Sequence, residues 1–219
     1  TLAPAVGVKR RAATSIEVKV VAARGRYGNR DDVVGESRSA DGAWTPLIYD
    51  AATKTATVTT APGASVDVRA KASNVRGAGP WSQPLQARAL LQPNAQHGGD
   101  CGDFSWRQTP ETVTCVIEVP RGTTVRDVVV DASNDALTAS LKAGADFFDG
   151  AKLLRKVAPA GTAWGVVDND PYVKGTVLTI TLEKAVATFR RGDHWDRLFT
   201  TGPRVDTSLL PLSLPSISG

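Results

Sequence analysis

The chain has 219 residues, 42% of them apolar and 22% charged, with 26 Lys/Arg against 22 Asp/Glu. At roughly 100 to 200 residues per domain this is one large domain or two small ones, and the apolar fraction is too high for a disordered protein. No apolar run approaches the roughly 18 residues of a membrane-spanning helix, and no charged stretch followed by an apolar one opens the chain. The sequence begins at Thr1 and contains no Met, so it reads as a processed chain or a piece of a longer one.

Charge is uneven. Residues before His97 carry 13 Lys/Arg against 7 Asp/Glu, and those after it carry 13 against 15. The basic residues are scattered through apparent strands, as on a solvated face. Only Tyr27 interleaves with Arg24, Arg26 and Arg30, so the stacking platform of a nucleic-acid binder is missing and nucleic acid is not expected as a partner. Cys101 and Cys115 are the only cysteines, too few for a disulfide framework, and no Asn-x-Ser/Thr acceptor occurs. Both features favour a reducing compartment.

Period-two alternation dominates from the N-terminus onward. Ile16, Val18 and Val20 alternate with polar residues, as do Val66, Val68, Ala70 and Ala72. These are half-buried antiparallel strands, separated by turn chemistry at Ala61-Pro62-Gly63 and Gly77-Ala78-Gly79-Pro80. Residues 91–100 mix Pro, Gly and polar residues without a period, which predicts a linker between two domains. Alternation resumes with Val113, Cys115, Ile117 and Val119, then Leu137, Ala139 and Leu141, then Leu178, Ile180 and Leu182. Cys115 falls on the apolar face, a buried inert thiol. Trp106 and Trp164 are expected in the core, and Trp195 either in the core or lining a partner groove. Residues 204–219 form a Pro/Ser/Leu-rich tail that is either disordered or laid extended along a partner, since Pro211 and Pro215 forbid a regular helix.

The chain offers little for catalysis. His97 reads as a solvated loop residue and His194 as a surface residue, while Asp31-Asp32 and Asp168-Asn169-Asp170 read as turns without the ligand count of a calcium loop. Phosphate-binding, zinc-protease and serine-hydrolase motifs are absent from the sequence, so no enzyme activity, cofactor or metal is expected.

Residues 61–82, from Ala61-Pro62-Gly63 through Asn74 to Trp81-Ser82, resemble the Pro-Gly corner, F strand, F-G loop and G-strand start of a fibronectin type III module, and the likeness extends over residues 4–89. It lacks the usual B-strand Trp, has Val66 where the corner Tyr is expected, and is long and charged from Tyr27 to Asp41. Residues 104 to about 208 resemble a CS domain of the kind found in the nuclear-distribution-protein C (NudC) family. The motifs are Phe104-Ser105-Trp106-Arg107-Gln108-Thr109, Ile117-Glu118-Val119-Pro120, Leu137 to Lys142, Phe148-Asp149-Gly150, Trp164 to Asp168, Leu178 to Lys184 and Trp195 to Leu198, in family order. Gly150-Ala151-Lys152-Leu153 has one residue more than the family's usual Gly-x-Leu, which predicts a re-registered edge.

Together these readings predict an all-β protein of two tandem antiparallel β-sandwiches: a fibronectin type III-like domain over 1–90, a linker over 91–100, a CS or small-heat-shock-like domain over 101–203, and an extended tail over 204–219. The resemblance implies a non-enzymatic, cytoplasmic protein-interaction module, a NudC-like co-chaperone or adaptor whose partners are an ATP-dependent chaperone or client proteins. The alternative is a permanently incorporated structural subunit of a cytoskeletal assembly such as a ciliary axoneme. Arg76, Trp81, Lys142, Trp195, Arg197, Leu209, Leu210 and Leu212 are the partner-binding candidates, with Trp81 as the exposed anchor of the first module.

Overall fold

A computed structural model describes residues 3–21, 32–40, 42–74 and 77–214, in two compact units spanning Thr1–Leu91 and Gln92–Gly219. Arg76 lies outside the described residues, as do residues 27–31 and Asp41 of the segment that departs from the type III pattern. Among the described residues no helix is long and apolar enough to cross a membrane.

The first unit comprises β1 (Ala5–Arg11), β2 (Ser15–Val21), β3 (Asp32–Ser39), β4 (Thr45–Leu47), β5 (Tyr49–Asp50), β6 (Thr55–Thr59), β7 (Ser65–Asn74), β8 (Gly77–Ala78) and β9 (Leu85–Arg88). They form two antiparallel sheets, β1-β2-β6-β5 and β4-β3-β7-β8, with β9 also paired to β7. The alternation read from the sequence puts Ile16, Val18, Val66 and Val68 in the core with Ala56, Val58, Ala87 and Ala89. This core is built from small and branched side chains. The large aromatics Trp44 and Trp81 lie instead on the charged outer face, for which the backbone gives the reason. Residues 79–82 run along β7, where Gly79 N–H donates to the Ala72 carbonyl, Ser82 N–H to the Ala70 carbonyl, and Ala70 N–H to Ser82 Oγ. Trp81 is thereby laid across the outward side chains of β7.

The second unit comprises β10 (Gly99–Asp100), β11 (Ser105–Gln108), β12 (Thr112–Glu118), β13 (Val128–Ala132), β14 (Ala136–Leu141), β15 (Ala145–Lys152), β16 (Val157–Asp168) and β17 (Thr176–Lys184). A five-stranded sheet, β10-β11-β12-β17-β16, and a three-stranded sheet, β13-β14-β15, are both antiparallel. One face of the larger sheet buries Trp106, Cys115, Ile117, Leu178, Ile180 and Leu182, and Leu137 and Ala139 of β14 are equally buried. Burial drives the Cys115 thiol well above its ordinary value, which keeps it an inert apolar group. The extra residue at Gly150 appears as a bulge: Leu137 pairs with Ala151 but Ala139 with Phe148, and Gly150 takes a left-handed φ of 57°.

Two expectations are corrected by the ends of this unit. Residues 92–100 are not a structureless linker. Asn94 Oδ1 accepts from the backbone of Gln96 and Gly98, its Nδ2 donates to the Trp106 carbonyl, and Gly99–Asp100 joins the sheet. Gly98 packs so closely that a Cβ there would collide with the Trp106 carbonyl. The segment after β17 is likewise part of the fold: Leu153 bridges Phe199, Leu154 N–H donates to Leu198 O, and Leu198, Val205, Leu210 and Leu214 are buried.

Gln108 joins these pieces. Its Nε2 donates to the carbonyls of His97 and Trp195, and its Oε1 accepts from Trp195 N–H and Lys184 Nζ. Lys184 is buried and also donates to the Thr109 carbonyl at 2.6 Å and Thr188 Oγ1 at 2.7 Å, so three acceptors match the three N–H bonds of an ammonium. Burial, with repulsion from Arg155 and against the pull of Glu111, pushes this lysine from 10.5 down to about 7.

Replacing Lys184 with Met removes the lysine's bond to the Thr109 carbonyl and leaves Gln108 Oε1 with Trp195 N–H as its remaining donor, and is expected to cost about 1–3 kcal/mol. Because the folded-state value lies below the unfolded one, the unfolded chain holds the extra proton between about pH 7 and 10.5, and the lysine's contribution to stability rises with pH across that window. Thermal melts at pH 6.5 and pH 9 are expected to show the gap between wild type and Lys184→Met widening at the higher pH. A gap independent of pH would show that the ammonium is not strained by its burial.

Candidate functional site

On the outer face of the five-stranded sheet, cross-strand pairing sets Arg107 beside Thr114, Thr181 and Ala163, and Ser105 beside Val116, Thr179 and Gly165. The side chains are short, and Thr114 and Thr181 join their hydroxyls at 3.0 Å. The result is a shallow floor with little charge beyond Arg107.

The loop between β16 and β17 crosses this floor. Asn169 adopts φ 61° and Asn169 N–H donates to the Gly175 carbonyl, closing the loop at its base, where Thr176 Oγ1 also donates to Asp168 at 2.6 Å. Asp170 turns inward and is buried. It accepts both guanidinium nitrogens of Arg107, at 3.2 and 3.4 Å, and the Tyr172 N–H at 3.0 Å. A buried carboxylate with a bidentate arginine is a strong positional clamp. It fixes Tyr172, 61% exposed, with Arg107 over its ring at 5.4 Å.

Tyr172 thus separates two grooves. One, of about 540 Å³, is bordered by Asp100, Asp103, Phe104, Val116, Glu118 and Lys174, and is acidic with an apolar base. The other, of about 550 Å³, is bordered by Gln96, His97, Thr109, Thr112, Thr114, Pro171 and Thr181, and is uncharged apart from Arg107. Burial lowers the His97 pKa. Among the described residues, no three acidic, His or Cys side chains converge as a metal site would require. An exposed aromatic ring between two open grooves is a geometry for gripping another polypeptide.

The binding candidates read from the sequence do not assemble here. Trp81 is half-buried, with Arg69 at 4.4 Å and Lys71 at 4.6 Å over its ring. Arg69 also stacks on Trp44 at 4.0 Å while pairing with Glu36 at 2.8 Å, and Arg38 stacks on Trp44 at 4.7 Å while bonding Asp67. Trp81 therefore lies within a stack of alternating rings and cations, and is not a bare anchor. Lys142 is exposed at the β14–β15 turn. Trp195 and Leu210, each 1% exposed, are core residues, which excludes them as partner contacts. Trp195 hydrogen-bonds Gln108 through both backbone groups, and the tail residue Leu210 packs inside the unit that it follows. Arg197 is partly buried beside Asp196 at 3.7 Å. Leu209 and Leu212 stay exposed on the docked tail.

Two further expectations are overturned. His194 is buried, not superficial, with its imidazole pKa lowered chiefly by burial. Trp164 is 39% exposed, because β16 is an edge strand and its ring overhangs the core that its neighbour Ile180 fills. The residues that build the grooves were missed. Asp168-Asn169-Asp170-Pro171 was readable as a turn, but its proximity to Arg107 arises only from sheet pairing. The available signal was an aromatic residue at the tip of a turn rich in Asp.

Residues 102–184 match the CS domain family. Protein BOBBER 1 of Arabidopsis thaliana is 31% identical over 117 residues, covering 53% of this chain and 35% of that protein. Nuclear migration protein nudC of Drosophila melanogaster is 30% identical over 119 residues, covering 53% and 32%. The chain thus spans about a third of the length of these relatives. Among solved structures, a twitchin kinase region from C. elegans aligns at 11% identity and a TM-score of 0.34 over 84% of this chain and 40% of that one, too loose a likeness to bear on either unit.

Removing the Trp81 ring by Trp81→Ala deletes two cation–π contacts, at a cost of about 1–2 kcal/mol. In a domain of this size that is a fall of roughly 5–10 °C in melting temperature, measurable by differential scanning calorimetry. An unchanged melt would show the stack to be energetically idle. On the sequence match and the two-sheet sandwich that carries it, residues 102–184 of this chain form a CS domain.

Proposed function

We propose that this protein is a non-enzymatic interaction module, a cytoplasmic co-chaperone or adaptor of the NudC kind, which grips an ATP-dependent chaperone or a client polypeptide across the outer face of its CS domain. The observation that carries the reading is Tyr172, held 61% exposed between two grooves by the buried Arg107–Asp170 clamp. The clamp fixes the ring before any partner arrives, so little ordering entropy remains to be lost on binding. One groove combines carboxylates with Phe104 and Val116, and so suits a segment carrying both basic and apolar side chains.

The groove linings favour binding over chemistry. Thr109, Thr112, Thr114 and Thr181 spend their hydroxyls on hydrogen bonds within the domain. In this reading the first unit, with its excess of basic residues, selects the cargo. No observation here favours the alternative of a fixed cytoskeletal subunit.

The test is Tyr172→Ala in the full chain, assayed for capture of a purified ATP-dependent chaperone and for suppression of aggregation of a heat-labile client. The expected result is at least about tenfold weaker binding, the loss typical of an interface anchor, with a melting temperature within a few degrees of wild type. Equal binding by the variant and by a second groove variant, Thr181→Lys, would overturn the assignment.

A further inference from the structure

The free edge of β16 is unusually bare. Its first half is guarded: Pro159 lies there, and the register against β17 shifts between Ala158 and Ala163. From Ala163 to Val167 the strand has no Pro, no charge and no bulge, and pairing with β17 is uninterrupted from Ala163 to Asp168. The other edges of this unit are shorter, charged or interrupted: β10 has two residues, β13 has five with Asp131 among them, and β15 carries Asp146, Asp149 and a left-handed Gly150. Natural sheets blunt long exposed edges, so one left plain calls for a strand to cover it.

Hydrogen bonding fixes which groups are free. Asn169 N–H donates to the Gly175 carbonyl, and Thr179 Oγ1 lies 3.2 Å from the Gly165 carbonyl. With the two-residue period of an antiparallel ladder, the backbone groups of Val167, Gly165 and Ala163 therefore point toward β17. Those of Trp164 and Val166 point outward, and no partner for them exists among the described residues. The edge also carries exposed apolar surface, with Trp164 39% and Val167 43% exposed.

We infer that a second copy of this chain covers this edge, the two β16 strands pairing antiparallel about a twofold axis at Gly165. The sequence is self-complementary in that register. Trp164 faces Val166 of the second copy, and because both have outward-pointing backbone groups they exchange two hydrogen bonds. Each such pair sets an aromatic ring beside a β-branched side chain, a favoured cross-strand combination, on the face that already carries Ile180 and Leu178. Ala163 faces Val167, Thr162 faces Asp168, and no like charges meet. At the axis Gly165 faces itself, and a Cβ built on it meets nothing within 4 Å. The register follows from sheet geometry: a twofold axis normal to the sheet keeps the inner faces together only when a residue is paired with one of the same parity.

Sedimentation of the full chain over a range of concentrations is expected to show a monomer–dimer equilibrium. Val166→Pro removes one outward N–H without touching the ladder to β17, a position where an edge strand tolerates proline, and should leave a folded monomer by circular dichroism. Should that variant not fold, Val167→Lys serves in its place, raising the dimer Kd by about tenfold or more as an edge gatekeeper. Register is read by cross-linking in a Cys101→Ser background, where the buried Cys115 does not compete. Gly165→Cys should form an intermolecular disulfide on mild oxidation, since directly opposed residues at a non-hydrogen-bonded site lie about 4.5 Å apart. Val167→Cys should not, being on the order of 13 Å from its counterpart. A chain that stays monomeric at every concentration, as it would if the edge served an unlike peptide, overturns the inference. So does a dimer that survives Val166→Pro and Val167→Lys, or cross-linking at 167 without cross-linking at 165.

Discussion

The second unit depends on one buried amide. Gln108 lies at the end of β11, and its four hydrogen bonds reach the segment before the sheet at His97, the last residue of β17 at Lys184, and the segment after it at Trp195. Three stretches of chain far apart in sequence are tied to one side chain. The amide suits the task because it presents two donors and two acceptor sites in one plane, and all are used. An apolar residue of similar size would fill the space but leave Lys184 with two acceptors and the Trp195 backbone unpaired. A partly satisfied buried network costs more than none, so the group is selected as a whole.

This network also explains why a site can exist on the opposite face. Gln108 points inward while its neighbour Arg107 points outward, as successive residues of a strand must. Locking Gln108 therefore fixes the place of Arg107, and Arg107 in turn holds Asp170 and orients Tyr172. The chain of cause runs from a core amide, through strand alternation, to an exposed ring between two grooves. In the first unit the same alternation works differently. Its outward charges neutralise one another across β3 and β7, and the cations are capped by Trp44 and Trp81, so the basic excess of that half is partly spent within its own surface.

Strand alternation made the architecture legible: the inward sets Val66 to Ala72 and Leu178 to Leu182 lie where period two places them. Even the extra residue at Gly150 was visible, and it became a bulge with a left-handed glycine. What was not legible is whatever depends on position within a sheet. Trp164 has the same alternation as a core residue, yet β16 lies at the edge, and nothing in a single strand says how many neighbours it has. The segments 92–100 and 204–214 lack periodicity because they are held by side-chain hydrogen bonds and scattered leucines instead of ladders, so they read as linker and tail. The grooves were hidden for a related reason, since Arg107 and Asp170 are 63 residues apart and meet only after three strands have paired.

The family match and the folding unit consequently have different limits. The match covers residues 102–184, which include every strand of the two sheets except β10. Yet the core of that sandwich also contains Trp195, Leu198, Leu210 and Leu214, all beyond residue 184, and Gln108 needs both His97 and Trp195 to satisfy its amide. Burying those four apolar side chains is worth about 1.5–3 kcal/mol each before ordering costs, comparable in sum to the whole stability of a small domain. The strands define the fold that the sequence shares with its relatives. The irregular flanks hold the strands together, and the tail's two outward leucines, Leu209 and Leu212, owe their fixed exposure to the two inward ones, Leu210 and Leu214, that anchor the segment between them.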